Sequence, residues 1–166
     1  CDSYASWHPK FKHLSPVLET TAVNQRMEEL IPGGRWDNDS QQDVHLVITG
    51  GEPLLGWQRS YPELLEQAME KGLHNITFET NGTQEIAPEF EQWVYNVWHG
   101  LRLWDQLTFS VSAKLPCSGE KWEEAIKPDI VVNYEKLGYT YLKFVVSTDD
   151  DVEDVDRAVK EYRDAG

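Results

Sequence analysis

The chain has 166 residues, with 15 basic against 29 acidic side chains and a formal charge of −14. That length supports one domain with a real core, and the plentiful aliphatic and aromatic residues, seven tryptophans among them, exclude a disordered composition. The acidity argues against broad binding to phosphate backbones, which needs a positive footprint, and no run approaches the roughly 20 apolar residues of a membrane helix.

Cys1 opens the chain with no strand before it, and residues 8–44 are the least regular part. Within them Thr20–Leu30 has the makings of a helix, which Pro32, Gly33 and Gly34 break. Short β-branched or aromatic runs bounded by turn residues then predict strands at His45–Thr49, Ile76–Thr80, Leu107–Ser112, Ile130–Asn133 and Tyr141–Val146. Ser60 and Glu63 have capping-box spacing ahead of Leu64, Leu65, Ala68 and Met69, which form one apolar helix face ending near Gly72. Pro88 opens a second helix, with Phe90, Trp93, Val94, Val97 and Trp98 on one side as core. Glu120–Ile126 reads as a short helix. Val152, Val155, Val159 and Tyr162 mark a last one, entered through Ser147 and Thr148 and an acidic first turn.

Strand–helix alternation of this spacing implies an α/β fold with a parallel sheet and right-handed crossovers. An open doubly wound sheet and a barrel both fit, and in both the chemistry gathers at the carboxyl ends of strands. The last helix ends at Ala165 and Gly166, where another strand is expected, so the sequence reads as a single domain's middle, open at both ends.

Three strands end in polar motifs. Thr49, Gly50, Gly51, Glu52 and Pro53 follow the first; paired glycines let backbone approach a ligand closely. Glu79, Thr80, Asn81, Gly82 and Thr83 end the second with a turn-forming Asn-Gly. Ser112, Ala113 and Lys114 end the third. Each alone is ordinary; three at one edge of a sheet make a candidate site. Cys1 and Cys117 are the two cysteines, too few for a disulfide framework, which fits a reducing, cytoplasmic setting. Cys117 reads as a spectator thiol in a loop, and the five histidines show no ligand spacing.

In this order Cys1-Asp2-Ser3 and the three strand-end motifs resemble the radical S-adenosylmethionine enzymes known as 7-carboxy-7-deazaguanine synthases. The resemblance implies a partial (β/α)6 barrel. It implies that Cys1 is the last of three cysteines binding a [4Fe–4S] cluster, the other two lying upstream, since thiolates are soft donors suited to such clusters. It places Asp2, Gly51, Glu52, Ser112, Ala113 and Lys114 near S-adenosylmethionine, with alanine at 113 where the family has proline. It assigns Thr49 and Glu79 to the substrate. Ser3, where the family has threonine, keeps an oxygen for Mg²⁺. The implied reaction is ring contraction of 6-carboxy-5,6,7,8-tetrahydropterin to 7-carboxy-7-deazaguanine with loss of ammonia. An electron donor such as flavodoxin and a homodimer are expected from the resemblance, and direct nucleic-acid or membrane binding is not. The alternatives are a glycyl-radical activating enzyme acting on a protein partner, and a non-catalytic α/β binding module.

Overall fold

Residues 8–14, 16–37 and 44–166 are described in the computed structural model. Four strands form one sheet in the order β1 (Leu46–Ile48), β2 (Ile76–Thr80), β3 (Leu107–Ser112) and β4 (Tyr139–Lys143). Every neighbouring pair is parallel, with Leu46 opposite Ile76, Ile76 opposite Leu107 and Thr108 opposite Tyr139. The helices are α1 (Thr20–Leu30), α2 (Tyr61–Met69), α3 (Pro88–Trp93), α4 (Trp122–Ala125), α5 (Pro128–Glu135) and α6 (Asp150–Ala165).

The strand order runs without reversal. A doubly wound sheet needs a reversal, because helices reach its second face only when the chain turns back from a central strand. With right-handed crossovers, an unreversed order stacks the connecting helices on one face. The four strands and their flanking helices are thus consistent with part of a barrel.

The two sheet faces differ in chemistry because side chains alternate along each strand. Ile76, Phe78, Leu107, Phe109 and Val111 share one face and are fully buried with the helices. Phe78 sits in the middle, with ring centroids 5.1 Å from Tyr61, 5.8 Å from Phe90 and 5.7 Å from Phe109. The opposite face carries Val47, Thr77, Glu79, Thr108, Ser110, Ser112, Tyr139, Tyr141 and Lys143. Parallel strands are ordinarily apolar on both faces. A polar second face is the surface a barrel turns toward its lumen.

Several expectations change. Ile130–Asn133 is not a strand but the centre of α5. Pro128 occupies the first helical turn, where its missing N–H costs nothing, and Val131 and Tyr134 are buried at a spacing of three. A run of three β-branched residues followed by an asparagine cannot by itself distinguish a strand from a buried helix turn. β4 begins two residues earlier than expected, at Tyr139, and ends at Lys143. The capping box at Ser60 is also absent. Ser60 has helical dihedrals because a 3₁₀ turn, Gln58–Ser60, feeds directly into α2, whereas a capping residue must be extended. Glu63 accepts instead from Thr20 Oγ1 at 2.6 Å and Gln67 Nε2 at 3.2 Å. The Thr20 bond joins α2 to α1, and Asn24 adds another, donating to the Leu64 carbonyl at 3.0 Å. Part of the irregular stretch 8–44 therefore braces α2.

α3 falls on the expected residues and continues as a wider turn over Val94–Trp98, with His99 N donating to Val94 O at 2.9 Å. The wider turn rotates Trp98 onto the same buried side as Phe90 and Val94.

At the start of α6 the cap comes from an unexpected direction. Asp151 reaches back and accepts from the backbone N–H of Ser147 at 2.7 Å and of Thr148 at 2.8 Å. Those bonds hold its carboxyl below the ordinary aspartate value. A carboxyl depressed in the folded state stabilises fully above its unfolded value of about 3.9, and the contribution fades as pH falls through the lower folded value. Asp151→Asn should therefore lower stability most near neutral pH, and its difference from wild type should vanish in strong acid. Urea unfolding of the complete protein at a series of pH values measures this; a difference that stays constant with pH would contradict it.

Candidate active site

All four strands point the same way, so the three motifs meet at one edge of the sheet. The glycine motif leaves β1 exposed, with Gly50 at φ 90° and Gly51 at φ 55°. A Cβ on Gly50 would meet nothing within 4 Å. The left-handed backbone, rather than crowding, requires glycine there, and it leaves the backbone of this turn open to a ligand.

Glu52 lies under that turn. Its Oε1 accepts from Leu54 N at 3.1 Å and Thr80 Oγ1 at 2.7 Å, and its Oε2 accepts from Asn81 N at 2.7 Å. The carboxylate therefore welds the motif after β1 to the motif after β2. Thr80 extends the link by accepting from Gly82 N at 3.1 Å, and Asn81 Oδ1 closes the turn on Thr83 N and Oγ1 at 3.0 and 2.7 Å. Gly82 has φ 78°, and a Cβ there would come within 2.6 Å of Val111. The Asn-Gly turn thus packs directly on β3.

Three residues that sequence reasoning missed finish the scaffold. Gln58 is buried and donates to Leu54 O at 2.8 Å and Glu85 O at 2.7 Å, while accepting from Ala87 N at 2.7 Å. Tyr61 donates its hydroxyl to Pro53 O, and burial pushes that phenol well above its ordinary value. Tyr134 likewise donates to Gln84 O. A buried glutamine with three backbone partners has no local sequence signature, because its partners are remote in the chain.

Glu79 faces the other way, on the polar side of β2, where its Oε1 lies 3.0 Å from Lys143 Nζ of β4. Lys143 belongs to no predicted motif. Ser112 and Lys114 are half-buried and Ala113 is buried. Lys114 has no hydrogen-bond or ion-pair partner among the described residues. Thr49 is exposed at the end of β1. At the opposite end of the sheet, His45 Nε2 lies 2.7 Å from Thr77 Oγ1, and burial lowers its basicity. Cys1, Asp2 and Ser3 lie outside the described residues, so the cluster, S-adenosylmethionine and Mg²⁺ assignments to them have no geometry here.

The donors fit the expected groups unequally. Among the described residues, no group of three or more His, Cys, Asp or Glu side chains is placed to hold a metal ion. Cys117 is exposed, its thiol 3.6 Å from Val145 O, and with Cys1 it makes only two thiols in the chain. The sequence given does not itself provide three cluster ligands. The open glycine turn and the Lys114 ammonium, unpaired among the described residues, do fit the carboxylate of an amino-acid moiety such as that of S-adenosylmethionine, which needs N–H donors and a cation.

No protein-family model matches the chain, and no solved structure does. Over 118 residues the chain is 35% identical to the 7-carboxy-7-deazaguanine synthase of Pyrobaculum aerophilum. The match covers 71% of this chain and 44% of that protein, so the chain spans less than half the length of this relative. The similarity is to an enzyme, at family level. It agrees with the α/β part-barrel fold and with the family the strand-end motifs resemble. Among the described residues, no helix is long and apolar enough to cross a membrane.

Proposed function

We propose that this chain forms part of a radical S-adenosylmethionine 7-carboxy-7-deazaguanine synthase, which contracts the ring of 6-carboxy-5,6,7,8-tetrahydropterin with loss of ammonia. The observation that carries the reading is the Glu52 weld. It joins the two most specific motifs into one rigid rim at the carboxyl edge of a parallel sheet, and the relative at 35% identity is an enzyme of that name.

In this reading the cluster and S-adenosylmethionine, when bound, supply the radical chemistry. The chain's own residues bind, orient and exclude water. Gly51 and Lys114 receive the carboxylate of S-adenosylmethionine, bordered by Asp2, Ser112 and Ala113, while Glu52 holds the turn that presents them. Thr49 and Glu79 offer a hydroxyl and a carboxylate to the donor and acceptor edge of a pterin. Cys1 is a cluster ligand and Ser3 contributes an oxygen to Mg²⁺. A flavodoxin-type reductant, a homodimer and a cytoplasmic location belong to the same proposal.

The test is anaerobic expression of the complete protein, reconstitution with iron and sulfide, and assay of the carboxylated pterin with S-adenosylmethionine. Product carrying the deazaguanine chromophore is expected. Cys1→Ala should abolish both cluster absorbance and turnover, and Cys117→Ala should leave both nearly intact. Absence of product from cluster-loaded protein would remove the reading, and equal loss from both variants would overturn the roles given to the two thiols.

A further inference from the structure

The Glu79–Lys143 pair does not join neighbours. Glu79 is on β2 and Lys143 on β4, and β3 runs between them. In register, Glu79 lies opposite Ser110, and Lys143 opposite Ser112. The 3.0 Å contact therefore arches over the central strand, on the polar face. Ser110, on the same face of that strand, is wholly buried, and its Oγ has no partner among the described residues.

An arch of this kind contributes little to stability. Both side chains are about 40% exposed, and exposed pairs contribute about 0–1 kcal/mol. Glutamate and lysine are also poor strand formers. What the arch does determine is direction. A strand glutamate that could otherwise swing into solvent is drawn across the sheet toward its centre.

We infer that Lys143 is a positioning residue for ligand recognition: its ammonium draws the Glu79 carboxylate across β3, where that carboxylate accepts from the paired N–H groups of a cyclic amidine or guanidine edge. The inference rests on the functional reading above and adds a residue to it. Lys143 acts through Glu79 rather than by touching the ligand. Arginine should replace it, because a longer cation still reaches the carboxylate; methionine, of similar length without charge, should not.

The experiment has two arms on the complete protein. In the first, the fluorescence of 6-carboxypterin, a stable oxidised relative of the proposed substrate, reports its binding. Lys143→Met should weaken binding about tenfold, and Lys143→Arg should stay within about threefold of wild type. In a Glu79→Gln background, Lys143→Met should add less than about twofold. Affinity for S-adenosylmethionine should not change. An undiminished tenfold loss in the Glu79→Gln background would show direct contact by Lys143 and overturn the positioning role, as would no loss at all. In the second arm, ligand-free crystal structures of Lys143→Met and Lys143→Arg locate Glu79. The carboxylate should leave the centre of the sheet in the first and remain in the second; an unmoved Glu79 in Lys143→Met overturns the inference. If wild-type protein ignores the pterin, the functional reading fails, and the crystallographic arm still decides what Lys143 does.

Discussion

Phe78→Ala should cost about 3–5 kcal/mol, the usual range for emptying a fully buried aromatic site. Phe78 is wholly buried and lies at the junction of three other rings, those of Tyr61, Phe90 and Phe109. These come from two helices and the neighbouring strand, so no single element can move in to fill the space. Rigid surroundings leave most of the cavity open, and cost rises with residual cavity volume. Against a typical total of about 5–15 kcal/mol, the loss is a large fraction of what holds a domain together. Phe78→Leu keeps more of the volume and should cost less than Phe78→Ala. Urea unfolding of the complete protein measures both, with an unchanged dependence on denaturant expected if the transition stays two-state. A loss under about 1 kcal/mol for the alanine variant would mean that the helix layer repacks freely.

Glu52→Ala should be nearly as damaging, for a different reason. Three donors lose their acceptor together: Leu54 N, Thr80 Oγ1 and Asn81 N. Hydrogen bonds to a charged acceptor are worth about 1.5–3 kcal/mol each, and bonds sharing one carboxylate do not add, so about 3 kcal/mol is expected. Glu52→Gln separates charge from geometry. An amide oxygen in the Oε1 position still serves Leu54 and Thr80, but its NH2 then faces the Asn81 N–H, donor against donor. Its cost should fall between wild type and alanine. Amide hydrogen exchange should show faster opening of residues 49–56 and 80–84 in both variants, and S-adenosylmethionine should bind more weakly. Wild-type exchange in Glu52→Ala would sink the view that this carboxylate holds the rim.

Much of the fold was legible because the strongest signals are local. α1 falls on the residues that the sequence marks, and β2 and β3 match the predicted strands residue for residue. Where reading failed, distant packing decided. Ile130–Asn133 is β-branched enough for a strand, yet Pro128 and the burial of Val131 and Tyr134 make it helical. Ser60 has the right partner spacing for a cap, yet the preceding turn is already helical. The choice between open sheet and barrel depends on strand order, which no local pattern encodes. At the site, the motifs were visible as strings, but the bonds between them were not. Glu52 meets Asn81 across 29 positions and Glu79 meets Lys143 across 64, separations that a single sequence does not reveal.

Thr80 and Glu79 are adjacent on β2, yet the first joins the Glu52 lock and the second joins the arch over β3. Alternation thus assigns framework to the even positions of this strand and, in the proposed function, recognition to the odd ones. Substitutions confined to the inward-facing parity can retune which molecule is admitted while the rim keeps its shape, so a family built on this strand is free to change its ligand one residue at a time.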